Sequence, residues 1–404
     1  MSPYDPRVSS FPGRILNLYQ SLVRPALFQL DAVFVHEHVL RACGQLGRSA
    51  LLCKFSEANF GLHSPRLQLD VAGLSFPNPI CLAAGFDKNG HAINLLSSAG
   101  FGAIEIGSVS QHPSAGNSVR PRLHRIPKDE GLVVYYGVPN DGAERVAARI
   151  DDTPALLQRP PLGISLVETN TGAHAPVDGV IEQLQHCARR FIGLADYFAI
   201  NLHCPNSPGG KGHFQNPQHL ALLLQRLNEV PGMPPTLLKI APDHDDAGID
   251  AVLAAVDPFT FVRGFIMNAH AKDPRAGLRT PPERLKPMRG AISGWTNREA
   301  AFQAVAQWSR RIDRRRHILV GVGSLTSGAH VWRMLTLGAS LVQICTGLVY
   351  HGPGLVKSMK RELLALMDRH GISEVGALIG NAALAELDAL HNTQPAARAG
   401  AWQP

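Results

Sequence analysis

The stretch "HILVGVGSLTSGAHVWRMLTLGASLVQICTG", residues 317–347, contains two short apolar runs separated by a helical pattern. The runs at 317–323 and 341–347 are almost continuously apolar, which is typical of parallel strands buried on both faces. Parallel strands need a crossover connection, and the segment between the runs supplies one. The stretch therefore predicts a strand–helix–strand unit of a parallel sheet.

Six further apolar runs precede this unit, and a helical stretch follows each of them. They span residues 79–85, 103–109, 162–168, 197–204, 236–242 and 261–269. Eight strands alternating with helices match a (β/α)8 barrel better than a doubly wound open sheet, which usually has fewer strands. We therefore predict an α/β fold, a TIM barrel with an N-terminal helical extension. A short alternating hairpin is expected at 67–76.

The residues before the barrel have helical spacing. One pattern, 14–23, is expected to end before Pro25, and a second follows Asp31, whose side chain suits an N-cap. The helices either pack on the core or face lipid. The predicted boundaries are 1–60 for the amphipathic helical segment, 61–380 for the barrel, and 381–404 for a flexible C-terminal tail.

Composition narrows the function classes. The 404 residues carry a net charge of +7, with 45% hydrophobic and 6% aromatic residues. The one basic cluster, "RRIDRRR" at 310–316, is interpreted as a solvated helix end, and no nucleic-acid partner is expected. The six cysteines lack metal-binding spacing, so we expect no metal and a reducing compartment. Without a secretory or membrane-spanning run, a cytoplasmic location is predicted.

Polar and small residues follow the predicted strands, and active sites of barrels lie at the carboxyl ends of the strands. These residues are Gly85, Lys88, Gly107, Ser108, Ser165, Asn201, Cys204, Lys239, Asn268, Gly323, Ser324, Thr346 and Gly347. The glycine-rich ends of the last two strands, "GVGS" and "CTG", suit a phosphate. They predict a phosphorylated ligand or cofactor.

Three kinds of side chain carry candidate chemistry. Lys239 lies inside an apolar strand, where it either snorkels to solvent or holds an electron-rich ring such as a reduced flavin; Lys88 is a second candidate. Cys204 is either a packed small hydrophobe or a general base. Three asparagines suit a flat ring that bears C=O and N–H groups: Asn201, Asn206 and Asn268.

Long motifs in matching order resemble dihydroorotate dehydrogenases, FMN-dependent barrel enzymes. They include "NPICLAAGFDKNG" at 78–90, "GFGAIEIGSVSQHPSAGNSVRPRLHRIP" at 100–127 and "LADYFAINLHCPNSPG" at 194–209. The resemblance covers roughly residues 15–380. "LVRPALFQLDAVFVHEHVLRA", at 22–42, is similar to the quinone-tunnel extension of the membrane-associated class 2.

The resemblance implies that Cys204 takes a proton from substrate C5, that a hydride passes from C6 to FMN, and that a quinone reoxidises the flavin. The implied cofactor residues are Ala84, Gly85, Lys88, Ser108, Ser165, Asn201, Lys239, Asn268, Ser293, Gly294, Gly323, Ser324, Cys345, Thr346 and Gly347. The implied substrate residues are Lys88, Asn201, Asn206 and Asn268. His36 and Arg125 are expected in the quinone tunnel, with peripheral contact of the N-terminal helices at the inner face of the cell membrane.

The sequence departs from the class 2 pattern at several positions. Cys204 stands where class 2 has serine, and the neighbouring His203 is expected to point away from the site. Val134 replaces an asparagine that the family uses on orotate. Three more departures follow later strands: Ser165 for a flavin-contacting asparagine, Glu168 for a lysine, and Met267 and Ala269 for two hydroxyl residues.

Three functions stay open from the sequence, because an unmade buried hydrogen bond costs about 1–3 kcal/mol and lost substrate contacts can change the substrate. The first is a dihydroorotate:quinone oxidoreductase. The second is a related FMN enzyme acting on another dihydropyrimidine, cyclic imide or secondary-metabolite ring. The third is a flavin-binding protein without turnover. The small cyclic substrate, the electron acceptor and the oligomeric state are not fixed by sequence.

Overall fold

The computed structural model describes residues 18–156, 159–207, 212–241, 244–268, 275–381 and 383–384, with the backbone alone for Asn268. A π-helical turn, Tyr19–Val23, precedes the helices. The helices are α1 Arg24–Phe28, α2 Ala32–Gly47, α3 Ala50–Phe60, α4 Ile93–Ser98, α5 Ala143–Asp151, α6 Val177–Phe191, α7 Pro217–Asn228, α8 Asp246–Val256, α9 Pro282–Leu285, α10 Arg298–Ser309, α11 Gly328–Thr336, α12 Thr346–His351 and α13 Leu355–Arg369. The strands are β1 Leu69–Val71, β2 Leu74–Phe76, β3 Ile80–Leu82, β4 Ile104–Val109, β5 Leu123–Ile126, β6 Gly131–Val134, β7 Leu162–Leu166, β8 Tyr197–Asn201, β9 Thr236–Ile240, β10 Val262–Asn268, β11 Ala291–Ser293, β12 Ile318–Val322 and β13 Leu341–Ile344.

Eight of these strands form a closed parallel barrel in the order β3-β4-β7-β8-β9-β10-β12-β13. Val342, Gln343 and Ile344 of β13 pair with β3, which closes the ring. Each barrel strand falls within one of the eight apolar runs, so the predicted TIM barrel is confirmed. Because helices cover the outside and side chains fill the inside, the strands are buried on both faces.

Two antiparallel sheets accompany the barrel. The expected hairpin forms from β1 and β2, and its two turn residues, Ala72 and Gly73, have φ of 54° and 80°. A three-stranded sheet of β5, β6 and β11 was not predicted. Its strands come from loops about 160 residues apart, and a small apolar cluster of Ile126, Val133 and Ile292 supports it. The sequence pattern missed it because each strand is short and its partner is distant.

The N-terminal extension differs from the prediction at Pro25, before which the first helical pattern was expected to end. Asp31 caps α2 as predicted, since its Oδ1 accepts from the backbone N–H groups of Val33 and Phe34 at 3.0 and 2.9 Å. Pro25, in contrast, does not end the helical path. It lies in the first turn of α1, where a proline is tolerated because that turn needs no N–H donor, and the π-helical turn leads directly into it.

Large exposed hydrophobic side chains concentrate in this extension. Ten of the twelve found in the described residues lie there: Leu18, Leu22, Val23, Leu30, Phe34, Val39, Leu46, Leu51, Leu52 and Phe55. None of the described helices is long and apolar enough to span a bilayer. The predicted tail at 381–404 lies almost entirely outside the described residues.

Candidate functional site

A cavity of about 510 Å³ lies over the carboxyl ends of the barrel strands, between the barrel and the N-terminal extension. Seventeen of the predicted site residues line it: His36, Ala84, Gly85, Lys88, Gly107, Ser108, Arg125, Asn201, Cys204, Asn206, Lys239, Ser293, Gly294, Gly323, Ser324, Cys345 and Thr346. The strand-end rule therefore brings together residues that are up to about 300 positions apart in the chain.

Three predicted residues do not belong to this wall as described. Ser165 is fully buried behind Ser108, and their Oγ atoms are 2.8 Å apart. Gly347 is buried in α12, between Thr346 and Leu348, which both line the cavity. Asn268 ends β10, and its side chain lies outside the described part of the structure. Ser165 can thus act on a ligand only through Ser108.

The floor of the cavity carries an oriented amide. Asn201 Nδ2 donates to Ser108 Oγ at 2.9 Å, which fixes the amide. Its Oδ1 is buried and has no hydrogen-bond partner among the described residues. Because an unsatisfied buried acceptor is costly, this atom is available to accept a hydrogen bond from a ligand N–H or O–H group. Lys239, at 8% exposure, supplies positive charge to the same wall.

The far end of the cavity has the chemistry of a phosphate site. Ser293 Oγ and Thr346 Oγ1 are 2.6 Å apart, and Thr346 begins α12. Ser324 adopts a left-handed conformation, φ 49°, and Arg298 Nε and Nη2 bind its carbonyl at 3.1 and 2.9 Å. At Gly323, a Cβ atom would lie 2.5 Å from the Cβ of Ala301, so this glycine is required for packing against α10. Hydroxyl groups beside glycine residues that line the cavity suit phosphate oxygens.

Cys204 lies in the loop after β8, as a free thiol that lines the cavity with 9% exposure. Asn117 Nδ2 holds this loop by donating to the carbonyl of Asn206 at 2.8 Å. The expectation for His203 is wrong, because His203 also lines the cavity. β8 ends at Asn201, so the strand alternation used to orient His203 no longer applies there.

Lys88 links the barrel to the extension. Its Nζ lies 3.2 Å from His36 Nε2 and 4.3 Å from the ring centroid of Tyr136. Burial lowers the pKa of Lys88 to about 8, and burial followed by the charge of Lys88 lowers the pKa of His36 to about 3. His36 is therefore neutral at pH 7, and its Nε2 accepts the hydrogen bond. Arg125 makes a second link, since its Nη1 donates to the carbonyl of Leu30 at 2.8 Å.

Sequence reasoning missed polar residues within and around this site. Tyr136 lines the cavity, and its hydroxyl is buried with no hydrogen-bond partner in the described chain. Gln343 also lines it, and Glu105 lies inside the barrel with 0% exposure. The signal was available, because "AIEIGSV" and "LVQICTG" each place a polar residue inside an apolar run, as "LLKIAPD" does for Lys239.

The departures from the class 2 pattern occupy different surroundings. Val134 lines the cavity. Met267 is fully buried, and Glu168 is 9% exposed, where burial raises its pKa. Ala269 lies outside the described residues. No group of three His, Cys, Asp or Glu side chains that could hold a metal occurs in the described part of the chain.

A family model described as dihydroorotate dehydrogenase matches residues 66–367. The chain belongs to the dihydroorotate dehydrogenase family. Proteins named dihydroorotate dehydrogenase (quinone) are similar over most of the chain. That of Chloroflexus aurantiacus is 37% identical over 86% of this chain and 96% of its own length. Those of Natronomonas pharaonis and Salinispora arenicola are 33% and 38% identical, over 90% and 84% of this chain and 99% and 97% of their own.

A solved structure shares the fold. DHODH from Eimeria tenella, in complex with ferulenol, has a TM-score of 0.73 and 24% identity, covering 87% of this chain and 96% of that chain. Dihydroorotate dehydrogenases are FMN-dependent flavoproteins, and the donor set here fits FMN. Hydroxyl groups and glycine backbone stand at one end of the cavity, and Asn201 Oδ1 and Lys239 stand on its floor. The predicted family and cofactor are therefore confirmed.

Proposed function

We propose that this protein oxidises dihydroorotate to orotate with FMN and passes the electrons to a quinone. One observation carries the proposal: a single cavity joins the polar barrel floor, with Cys204 and Lys239, to the extension that contributes His36. The 33–38% identity to proteins named dihydroorotate dehydrogenase (quinone) supports both the substrate and the acceptor.

The residues of the floor have different roles in the oxidation of the substrate. In its thiolate form, Cys204 accepts the proton from C5, while Asn201 and Asn206 orient the ring through amide contacts. FMN, when bound, supplies the acceptor for the hydride from C6. Lys239 places a positive charge beneath the site, which stabilises negative charge that develops during reduction. Proton and hydride together account for the two hydrogens that dihydroorotate loses.

The other end of the cavity suits a quinone. Apolar side chains of the extension, Leu27, Val35 and Val39, line it beside His36 and Arg125. The guanidinium of Arg125 offers hydrogen-bond donors to a quinone oxygen, neutral His36 contributes its imidazole ring to the same wall, and the apolar walls accommodate the ring and its tail. Peripheral contact with the inner face of the cell membrane is part of this proposal, and the exposed hydrophobic side chains of the extension support it.

The test is an anaerobic half-reaction experiment with the purified yellow holoenzyme. We expect dihydroorotate to bleach the flavin promptly and a short-chain quinone to restore its absorbance. Bleaching by dihydrouracil or a cyclic imide, but not by dihydroorotate, would favour the alternative of a different ring substrate. If no dihydro-heterocycle bleached the flavin, the result would favour the third alternative, a flavin-binding protein without turnover.

A further inference from the structure

A polar layer crosses the barrel interior below the cavity. Glu105 of β4, Tyr197 of β8 and Gln343 of β13 form it, at 0%, 4% and 1% exposure. The surrounding barrel interior is largely apolar. Burying polar groups of this kind costs free energy unless all of their hydrogen bonds are made. Their hydrogen-bonding pattern therefore indicates what they do.

The three side chains are bonded to one another through a single oxygen. Gln343 Nε2 donates to Glu105 Oε2 at 2.7 Å, and the Tyr197 hydroxyl donates to the same atom at 3.2 Å. The tyrosine ring reaches across because its neighbour on β7 is Gly163. A Cβ atom on Gly163 would lie 2.1 Å from Tyr197 Cζ.

The carboxylate fixes which way the Gln343 amide faces. Glu105 Oε2 accepts from Gln343 Nε2, so Gln343 turns its NH₂ group towards Glu105 and its carbonyl oxygen away. Gln343 lines the cavity, and its Oε1 is buried with no partner among the residues that the structure describes. The amide therefore presents an acceptor that the protein itself does not satisfy.

Charge adds a second role for Glu105. Burial raises the pKa of Glu105, whereas the positive charge of Lys239 and the bonds from Gln343 and Tyr197 lower it. Lys239 lines the cavity on β9, so the buried carboxyl faces a cation that also faces the ligand. Among the groups that stabilise the ionised carboxyl, Lys239 makes the largest contribution, ahead of Gln343, Tyr197 and a backbone hydrogen bond at Ala84.

We propose that Glu105 is a positioning residue of the cofactor site, which turns Gln343 so that its amide oxygen accepts from an N–H group of FMN and offsets the charge of Lys239 beneath the flavin. Glu105 does not touch the ligand and acts through Gln343 and Lys239. The inference rests on the flavin part of the proposed function and is independent of which ring is oxidised.

The first experiment measures the midpoint potential of bound FMN in wild type and Glu105→Gln holoenzyme. Removing a negative charge below the flavin favours the reduced, more negative state. We expect the equilibrium to shift about tenfold towards reduction, which is about 30 mV for two electrons. An unchanged or lower potential with FMN still bound would overturn the role of Glu105.

The second experiment measures FMN dissociation from Gln343→Met holoenzyme. The methionine keeps the volume and removes the acceptor, so FMN should dissociate about tenfold more readily. Gln185→Met is the matched control, because Gln185 is also buried and its Nε2 donates to the carbonyl of Arg226 on the barrel exterior. Wild-type FMN retention in Gln343→Met would overturn the proposal, and this variant decides alone if Glu105→Gln does not fold.

Both readouts are separable from the proposed function. A protein that fails to oxidise dihydroorotate but shows the shifted potential contradicts the substrate assignment and supports the role of Glu105. A protein that oxidises dihydroorotate with an unchanged potential in Glu105→Gln does the reverse.

Discussion

The floor and the cover of the cavity are built on opposite principles. The floor consists of strand ends in a closed barrel, where polar side chains such as Asn201 and Lys239 are held in a buried frame. The cover consists of helices α1 and α2, which line the cavity, and is continued by α3; apolar side chains of all three helices are exposed to solvent. Leu51 and Phe55, for example, are 75% and 66% exposed.

This contrast separates the two halves of the proposed reaction. A polar, water-poor floor suits proton and hydride transfer from a small ring, because oriented charges act strongly there. An apolar cover suits the entry of a quinone from a lipid phase. The two regions meet at the contact between Lys88 and His36, so changes on either side of it should affect different half-reactions.

The largest effect is expected on the floor. Cys204→Ala removes the proposed base, and we expect flavin reduction by dihydroorotate to slow by about 10²–10⁴-fold while FMN stays bound. Anaerobic stopped-flow absorbance measures the rate. Cys204→Ser should recover part of it. Cys187→Ala, in a buried cysteine of α6 away from the cavity, serves as the control. Unchanged reduction in Cys204→Ala would refute the base.

At the boundary with the cover, we expect a smaller effect. It should change the reaction with quinone and leave flavin reduction almost unchanged. His36→Ala should raise the KM for quinone about tenfold, since removal of the imidazole ring from the cavity wall takes away contacts worth about 1.4 kcal/mol, and should leave flavin reduction by dihydroorotate within about twofold. Steady-state assays with a soluble quinone give the first value. His38→Ala, on the exposed side of the same helix, should match wild type. Equal effects of both variants would remove His36 from the quinone site.

The cover itself should determine binding to lipid. Phe55→Asp is expected to weaken binding to phosphatidylglycerol–phosphatidylethanolamine vesicles about tenfold, because burying one phenylalanine side chain is worth about 1.5–3 kcal/mol. Activity with a short-chain, water-soluble quinone should be unchanged. Val119→Asp, at an exposed hydrophobic residue outside the extension, is the matched control. Vesicle binding that resists Phe55→Asp and Leu51→Asp together would contradict a lipid-facing cover.

The last prediction concerns the stability of the folded protein in acid, where the expected effect is of similar size. The pKa of His36 falls from 6.5 to about 3 on folding, so the unfolded chain takes up this proton first. The stabilisation is complete above pH 6.5 and is lost progressively as the pH falls towards 3. From pH 7 to 5, wild type should therefore lose about 1–2 kcal/mol more free energy of unfolding than His36→Gln, measured by urea titration. Parallel losses in both proteins would show that His36 does not contribute.

Sequence predicted the barrel well and its surroundings less completely. Eight apolar runs identified the barrel strands, because each strand of a parallel sheet buried on both faces is a short and almost continuously apolar run. The sheet of β5, β6 and β11 shows no such pattern in the sequence, and β11 lies about 160 residues after its partner. His203 was misplaced because the strand ended two residues before it, and a strand boundary is not visible in an apolar run.

The site residues also divide into those that the sequence predicted and those that it did not. Residues at strand ends, such as Lys88 and Ser324, could be named from one rule about barrels. Gln343 and Glu105 stand out as polar residues inside apolar runs, but their pairing could not be predicted, because it joins β13 to β4 across the interior. Such pairing depends on the closed ring, and no local pattern encodes it.

The polar layer inside the barrel also bears on attempts to make this enzyme more thermostable. Replacing Glu105, Tyr197 and Gln343 together by apolar side chains of similar volume would remove a desolvated carboxyl from the core, and such exchanges are often neutral or stabilising. The same exchange would remove the acceptor and the counter-charge beneath the flavin. Core redesign here would therefore trade catalytic competence for heat resistance, and a selection scheme that scores melting temperature alone would favour inactive proteins.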